Sequence, residues 1–245
     1  MNFNLEIGNF SHVGKSREVN EDYFGVFSGD FGNIIVVCDG MGGHKGGELA
    51  SRISVEAIKS HFEFLGPDFV PQRELISALT KADQAILKKA KEEPELIEMG
   101  STAAVLLLKD GMVYTANIGD SRIYLIRNNQ ICQLTKDHSL VQQMLDANMI
   151  SSEAAKNHPQ RNVITRSLGA FGFSEPDIED PFPSQVNDIY VICSDGLNTH
   201  VEDNEILNTV ELFSPQEACI KMVELCNERG GKDNITVQVV KVLGF

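Results

Sequence analysis

The sequence lacks several features that define broad classes of protein. No stretch of about 18 consecutive apolar residues occurs in it, so we predict no membrane-spanning helix and no membrane insertion. The N-terminus has neither the basic start nor the apolar stretch of a secretory signal, which favours a cytoplasmic location. No internal repeat, low-complexity segment or long linker divides the chain, which is consistent with one domain over residues 1–245.

Basic residues are scarce as well. The 21 lysines and arginines are outnumbered by 35 aspartates and glutamates, and the formal net charge is −14. This charge excludes nucleic acid as the main partner, because a phosphate backbone requires a basic surface. A phosphate substrate would meet the same repulsion unless bound divalent cations inverted the local field.

Cysteine and zinc-binding patterns are similarly limited. The five cysteines make an odd set without the paired spacing of a zinc site, so we predict reduced thiols rather than a disulfide scaffold. No His-Glu-x-x-His sequence is present, which argues against a zinc hydrolase of that type.

The periodicity of the apolar residues predicts an α+β fold. Helical spacing predicts helices over roughly 47–64, 73–90, 140–148, 152–156, 204–210 and 215–228. A period of two predicts a meander of strands over 103–108, 112–118, 123–127 and 131–134, after two or three strands within 5–37. Asp-Gly and Asn-Asn pairs between strands are typical of tight hairpins. Hairpin-connected strands with helices in separate blocks favour two packed antiparallel sheets with the helices outside.

Three aspartates stand at the ends of buried, strand-like runs. Asp39 and Asp195 each follow such a run and precede a glycine, and Asp233 lies just before the run 235–240. An aspartate at the tip of a buried strand costs free energy unless it is paired, and few basic residues lie nearby. We therefore expect the three to converge on a cation. Oxygen ligands, including the carbonyl of Gly40, favour Mg²⁺ or Mn²⁺ over zinc.

Further residues indicate what such a metal site does. Two ions bridged by carboxylates lower the pKa of a shared water and support in-line displacement at phosphorus. Arg17 carries the fork that grips a phosphate bidentately, and its neighbours Glu21 and Asp22 either hold it in place or join the outer shell of an ion. His44 lies beside the aspartates and is a candidate acid. Phosphoester hydrolysis is the chemistry that this combination favours.

Other interpretations of the same motifs are open. The glycine-rich stretch 40–47 can be a simple loop, and it lacks the third glycine of a dinucleotide-binding fingerprint. Gly14-Lys15-Ser16 resembles the end of a P-loop, although no helical pattern follows it. Residues 117–122 can be a hairpin turn without function. The chain can also be a module that senses metal or phosphoproteins without turnover, an alternative that the intact aspartates disfavour.

Eight short motifs occur in a defined order between about Ser11 and Val240. They are Val13-Gly14-x-x-Arg17-x-x-Asn20-Glu21-Asp22, Asp39–His44, Gly100–Ala103, Gly119–Arg122, Asp137–Leu140, Asn162–Gly169, Ser194–Leu197 and Asp233–Thr236. In these motifs and their order the chain resembles the metal-dependent serine/threonine protein phosphatases of type 2C, in their compact bacterial form. Each motif alone is weak, but eight in order are highly specific.

The resemblance implies a fold and a metal site. The fold is a central antiparallel β-sandwich flanked by pairs of helices, in four layers α-β-β-α, with a flap-like segment at about 137–168. The cofactor is Mn²⁺ or Mg²⁺, with two ions per site. By the resemblance, Asp39 bridges both ions, the carbonyl of Gly40 binds one, and Asp195 and Asp233 bind the other.

The resemblance also assigns supporting roles. Asp120 matches the aspartate that helps to hold a third, weaker ion in bacterial members. Glu21 and Asp22 match an acidic pair that supports the site directly or through water. Asn234 positions its neighbouring aspartate or metal waters, and Arg17 matches the phosphate-binding arginine.

The implied reaction is hydrolysis of phosphoserine and phosphothreonine by direct attack of a metal-bridging hydroxide, with no phosphoenzyme intermediate. Animal relatives carry a histidine where this chain has Met41, so His44 is the candidate substitute for the general acid. The expected partners are phosphorylated proteins that a serine/threonine kinase has modified. We expect the protein to act as a monomer in signalling.

Overall fold

The computed structural model describes residues 3–43, 45–66, 68–169 and 175–245, which form twelve strands and seven α-helices. The strands are β1 (Asn4–His12), β2 (Asp22–Gly29), β3 (Gly32–Met41), β4 (Gly100–Ser101), β5 (Ala103–Lys109), β6 (Met112–Ile118), β7 (Arg122–Arg127), β8 (Gln130–Gln133), β9 (Asp177–Ile178), β10 (Phe182–Pro183), β11 (Ile189–Cys193) and β12 (Ile235–Gly244). The helices are α1 (Lys45–Glu63), α2 (Pro71–Glu92), α3 (Leu140–Asp146), α4 (Ser152–Lys156), α5 (Asp195–Asn198), α6 (Asp203–Leu212) and α7 (Pro215–Glu228).

The strands form two antiparallel sheets. The five-stranded sheet has the order β1-β12-β11-β7-β8, and the seven-stranded sheet has the order β10-β6-β5-β3-β2 with β4 and β9 at its margins. Asp110 and Gly111 join β5 to β6, and Asn128 and Asn129 join β7 to β8. All four residues have positive φ angles, as the twist of a two-residue hairpin requires. These two hairpins of the predicted meander are confirmed, but the meander as a whole is wrong, because β6 and β7 lie in different sheets and residues 119–121 cross between them.

Apolar side chains fill three interfaces between four layers. Helices α1 and α2 cover the outer face of the seven-stranded sheet, where Ile58 and Leu79 are fully buried. Helices α6 and α7 cover the five-stranded sheet, with Val223 in that core. Leu106 and Ile192 meet between the two sheets. The four-layer α-β-β-α architecture is the one that the sequence resemblance implied.

Helix boundaries differ from the predictions for local reasons. Helix α1 begins at Lys45 instead of 47, and α2 begins at Pro71, since proline suits the first turn of a helix. The helix predicted over 140–148 ends at Asp146, and Asn148 then adopts a left-handed conformation that stops the helix. Helix α5 and strands β4, β9 and β10 were not predicted, because such short elements leave no periodic signal.

Two further expectations concern membrane-spanning helices and disulfide bonds. Within the described residues, no helix has both the length and the apolar character needed to cross a membrane. All five cysteines are free thiols, as predicted, and only Cys132 is exposed.

The core between the sheets gives a stability prediction. Leu106 is fully buried there, so we expect Leu106→Ala to lower the free energy of unfolding by about 2–5 kcal/mol through lost contacts and a residual cavity. The control is Leu212→Ala, because Leu212 is 77% exposed and its loss should change stability by about 0.5 kcal/mol or less. Urea denaturation of both variants tests this, and equal midpoints would contradict the assignment of the core.

Candidate active site

Three acidic segments meet at one end of the sandwich. Asp39 lies near the end of β3, Asp195 begins α5 and is separated from β11 by one residue, and Asp233 lies just before β12. Because β11 and β12 are antiparallel neighbours, the end of one adjoins the start of the other. The charges of Asp195 and Asp233 both act on Asp39, and that of Asp233 acts on Asp195, so the three carboxylates lie close together. The predicted convergence of strand ends is therefore observed for these positions.

Asn234 joins the two sheets at this end. Its Oδ1 accepts a hydrogen bond from the backbone N–H of Glu21 at 2.8 Å. Its Nδ2 donates to the carbonyls of Val13 and Val19, each at 3.0 Å. The side chain is buried and all three bonds reach the β1–β2 connection, so Asn234 fixes that loop relative to Asp233.

Asp22 is a buried carboxylate with a defined donor. It pairs with Asp39 across the β2–β3 ladder. The Ser194 hydroxyl accepts from the backbone N–H of Thr236 at 3.0 Å, so its own proton is free to donate to Asp22 Oδ2 at 2.7 Å. Asp22 Oδ1 is buried and has no hydrogen-bond partner among the described residues. The roles of Ser194 and Thr236 were not predicted, although both lie inside the quoted motifs.

Thr102 links Asp39 to the turn that carries Asp120. Its Oγ1 accepts from the Asp39 backbone N–H at 2.9 Å, and its own N–H donates to the Asp39 carbonyl at 2.8 Å. The same Oγ1 lies 2.7 Å from the hydroxyl of Ser121. Asp120 is buried, and its Oδ1 likewise lacks a hydrogen-bond partner among the described residues. Sequence patterns gave no sign of this link.

Gly40 allows helix α1 to approach the site closely. A Cβ atom at this position would lie 2.0 Å from the carbonyl oxygen of Gly47 and 2.7 Å from that of Glu21. The Gly40 N–H donates to the same Glu21 carbonyl at 3.1 Å. Only glycine fits between these two backbones, and it keeps the chain next to Asp39 free of side-chain bulk.

Arg17 reaches the acidic end from the β1–β2 loop. Its guanidinium donates to Asp233 Oδ2 at 2.9 Å, and its side chain is 48% exposed, so part of the fork faces solvent. Lys15 lies in a turn with no helix after it, which removes the P-loop interpretation. His44, the candidate acid, lies outside the described residues.

The electrostatics of the site are dominated by uncompensated acid. Burial raises the pKa of Asp22 to about 7 and that of Asp195 to about 6, and neighbouring carboxylates add to both shifts. Burial and the charges of Asp22 and Asp195 raise the pKa of Asp39 well above its usual range. Burial, together with the charges of Asp195 and Asp137, does the same to the pKa of Asp120. Burial and the neighbouring charges thus oppose ionisation of each of these carboxylates, and a cation beside them would offset that cost.

The side chains as they stand do not form a closed ligand cage. Among the described residues, no three His, Cys, Asp or Glu side chains are grouped as one metal site. The donor set nevertheless fits a hard divalent ion, because it combines carboxylates from separate strands with two orphaned buried oxygens, on Asp22 and Asp120. The close backbone approach at Gly40 adds a carbonyl without bulk.

A cleft of about 860 Å³ opens beside Asp120 and Asp195. One wall comes from the predicted flap, which contains α3 and α4, and the other from residues 195–204. Lys156 of α4 forms an ion pair with Glu202 at 2.5 Å and so joins the two walls. The cleft places a peptide-sized space directly next to the acidic end.

The family follows from comparison with known proteins. The family model for protein phosphatase 2C matches residues 11–237. The chain therefore belongs to the protein phosphatase 2C family. It is a protein-serine/threonine phosphatase, a phosphoric monoester hydrolase, as the sequence resemblance implied.

Its relatives include bacterial enzymes. The serine/threonine phosphatase stp of Listeria monocytogenes is 38% identical over 236 residues, covering 93% of this chain and 92% of that protein. The serine/threonine protein phosphatase PstP of Mycobacterium tuberculosis is 34% identical over 235 residues, covering 96% of this chain but 44% of that protein.

Solved structures share the fold. Serine/threonine phosphatase Stp1 from Staphylococcus aureus has a TM-score of 0.92 and 34% identity, covering all of this chain and 97% of that one. The catalytic domain of a phosphatase named PstP, in complex with two manganese ions, has a TM-score of 0.87 and 32% identity, covering 98% and 99% of the two chains.

The raised pKa values predict an unusual pH dependence in the presence of chelator. The folded Asp22 has a pKa of about 7, above its ordinary 3.8, so the folded state holds a proton that the unfolded state releases between these values. The free energy of unfolding should therefore fall as the pH rises from about 4 to about 7. Asp22→Asn removes this titration and should flatten the fall.

Thermal denaturation with chelator at pH 5 and pH 7.5 measures the effect. Asp203→Asn is the matched control, because Asp203 is exposed and should keep the slope of the wild type. An Asp22→Asn variant with the wild-type slope would contradict the assignment of the shift to Asp22.

Proposed function

We propose that the protein is a metal-dependent phosphatase that hydrolyses phosphoserine and phosphothreonine in proteins by direct attack of a metal-bridging hydroxide. The observation that carries this proposal is the meeting of Asp39, Asp195 and Asp233, from three separate strands, at one end of a phosphatase 2C sandwich. Two Mn²⁺ or Mg²⁺ ions are the proposed cofactors. The two manganese ions in the PstP structure support the proposal of two ions per site.

Five groups are proposed as direct metal ligands. Asp39 would be shared by the two ions, the carbonyl of Gly40 would hold one of them, and Asp195 and Asp233 would hold the other. Asp120 helps to hold a third, weaker ion. The orphaned Oδ1 of Asp120 and the raised pKa values of Asp39, Asp120 and Asp195 support these roles, because a cation beside each carboxylate would offset the cost of its charged form.

Three residues are proposed to support the ligands from outside. Glu21 and Asp22 act on the ions directly or through water, and Asn234 holds its neighbour Asp233. The support for Asn234 is its set of three buried hydrogen bonds to the β1–β2 connection. Such outer partners orient the ligands and tune their basicity.

Bound ions would supply the attacking hydroxide and neutralise charge on the phosphoryl group. The chain itself must hold the phosphate, and Arg17 is the residue proposed for this. Its exposed fork can donate hydrogen bonds to two phosphate oxygens while the bond to Asp233 keeps the guanidinium in place. His44 remains the predicted general acid.

The substrates are proposed to be phosphorylated proteins that a serine/threonine kinase has modified. The cleft beside Asp120 and Asp195 supports a polypeptide substrate, since it extends from the acidic end along the segment 137–168. We propose that residues 1–245 act as one catalytic domain with this segment as a flap, and that the protein works as a monomer in the cytoplasm.

The alternative from another class is a module that senses metal or phosphoproteins without turnover. It requires the same fold but no chemistry at Asp39, Asp195 and Asp233. The networks at Ser194, Thr102 and Asn234 hold the acidic segments in register, which favours catalysis over simple binding.

Loss of a metal ligand distinguishes the two functions. We expect Asp195→Asn to reduce Mn²⁺-dependent phosphate release from a phosphothreonine peptide by roughly 100-fold or more, because the nucleophile and the charge stabilisation both depend on the ions. Chelator should abolish release by the wild type. The control is Asp30→Asn, because Asp30 is an exposed residue between β2 and β3 that does not line the cleft, and this variant should keep most of the activity. Metal binding by the wild type without any phosphate release would refute the enzyme mechanism and favour the sensing module.

Loss of Arg17, the proposed phosphate-binding residue, should weaken the binding of the substrate. We expect Arg17→Ala to raise the KM for the peptide by about tenfold, since a charge-assisted hydrogen bond is worth about 1.5–3 kcal/mol. Lys15→Ala, two residues away in the adjoining turn, is the matched control and should leave KM within about twofold. Steady-state kinetics at saturating Mn²⁺ measure both. An equal increase of KM in the two variants would indicate a general electrostatic effect instead of hydrogen bonding of the phosphate by Arg17.

A further inference from the structure

His138 occupies an unusual position between the acidic end and the flap. It is buried, and its ring and backbone both bond to Gly119, the residue before Asp120. The Gly119 N–H donates to His138 Nδ1 at 3.0 Å, and the His138 N–H donates to the Gly119 carbonyl at 2.8 Å. These two bonds clamp the backbone of the turn between β6 and β7.

The turn needs such a clamp. Gly119 has a φ of +105°, and a Cβ atom there would lie 2.5 Å from Thr102 Cγ2. A glycine in this conformation carries no side chain of its own to hold it, so its neighbours must fix the backbone. The carboxylate of Asp120 therefore takes its position from bonds made by other residues, of which His138 supplies two.

The hydrogen bonds define the tautomer of the ring. Nδ1 accepts from the Gly119 N–H, so the proton of the neutral imidazole is on Nε2, which donates to Asp177 Oδ2 at 3.0 Å. Arg166 Nη1 also lies 2.8 Å from Nε2, but a protonated nitrogen cannot accept, and Arg166 instead donates to Asp177 Oδ1 at 2.7 Å. Burial lowers the pKa of His138, which keeps the ring neutral.

The same residue also closes the base of the flap. The Thr165 N–H donates to the His138 carbonyl at 2.8 Å, and the next residue along, Ser139, pairs with Ile164 in an isolated antiparallel bridge. Both ends of the segment 137–168 thus meet at His138. The backbone of His138 connects to the flap, and its ring connects strand β9 to the turn that carries Asp120.

We propose that His138, oriented by Asp177, is a positioning residue that fixes the Gly119–Asp120 turn against the base of the flap. It holds the Asp120 carboxylate in place for the weaker ion, a part of the inference that rests on the proposed function. It touches neither substrate nor reacting atoms. Its effect on the metal passes through the backbone of Gly119.

Two substitutions separate the two sides of the ring. In His138→Asn the amide oxygen stands where Nδ1 stands and can still accept from the Gly119 N–H. In His138→Gln the amide lies near the position of Nε2 and can bond only to Asp177. A role in positioning predicts that the asparagine variant rescues the turn and that the glutamine variant does not. A generally structural role predicts similar effects in both.

The first readout is amide hydrogen exchange of Gly119 in chelator-treated protein. We expect exchange about tenfold faster in His138→Gln and close to the wild-type rate in His138→Asn, because only the former loses the acceptor of that N–H.

The second readout is Mn²⁺ affinity by titration calorimetry. The weakest ion should bind roughly tenfold more weakly to His138→Gln, as is usual when a group that orients a ligand is lost.

The outcomes distinguish this inference from the proposed function. Unchanged Gly119 exchange in His138→Gln overturns the inference whether or not the protein is an active phosphatase. Equal acceleration in both variants also overturns it. Faster Gly119 exchange in His138→Gln alone supports the positioning role of His138. If the wild type then binds no Mn²⁺, the proposed metal chemistry is refuted but the positioning role is not.

Discussion

The electrostatic cost of gathering carboxylates at one end of the sandwich governs the architecture of the site. Asp22, Asp39, Asp120 and Asp195 each have a raised pKa, because each loses water and faces the charge of others. Ionising four acids placed in this way requires compensation, since an unpaired buried charge costs several kcal/mol. In the proposed function, divalent ions provide that compensation. The stability of the protein and its chemistry are therefore coupled through the same groups.

The residues around the acids restrict how they can move apart. Asn234 joins the β1–β2 connection to the start of β12, Ser194 joins β11 to Asp22, and Thr102 joins β3 to the turn before β7. All three are buried and all bond to backbone as well as to side chains, so their geometry is set by the sheets. Repulsion between the carboxylates acts against a framework that is held by the two sheets. Rigidity of this kind is what allows ligands from distant parts of the chain to form one site.

The sequence was sufficient for the elements with strong periodicity and for the placement of acidic residues together at strand ends. Helix α7 was predicted with its bounds, and the turns at Asp110-Gly111 and Asn128-Asn129 followed from residues that tolerate positive φ. Contacts between distant segments were not predictable, because Thr102 and His138 act through bonds to backbone groups that no spacing reveals. The motifs that contain Thr102 and His138 matched the family, but the role of each side chain depends on which backbone N–H groups the fold places within hydrogen-bond distance of it. Short elements such as α5 gave no periodic signal.

The acidic composition of the chain is compatible with an anionic substrate because charge acts locally. Surface charges are screened beyond about 8 Å at physiological ionic strength, so most of the excess acid does not act on a phosphate at the site. There, Arg17 presents a half-exposed guanidinium beside Asp233, and in the proposed function two divalent ions add positive charge where the carboxylates meet. The remaining acidic surface repels extended polyanions, which contact many points at once. A single phosphate on a protein contacts only the end of the sandwich where Arg17 and the proposed ions offset the acidic charge. The distribution of charge, and not the net charge, therefore decides which phosphates can approach.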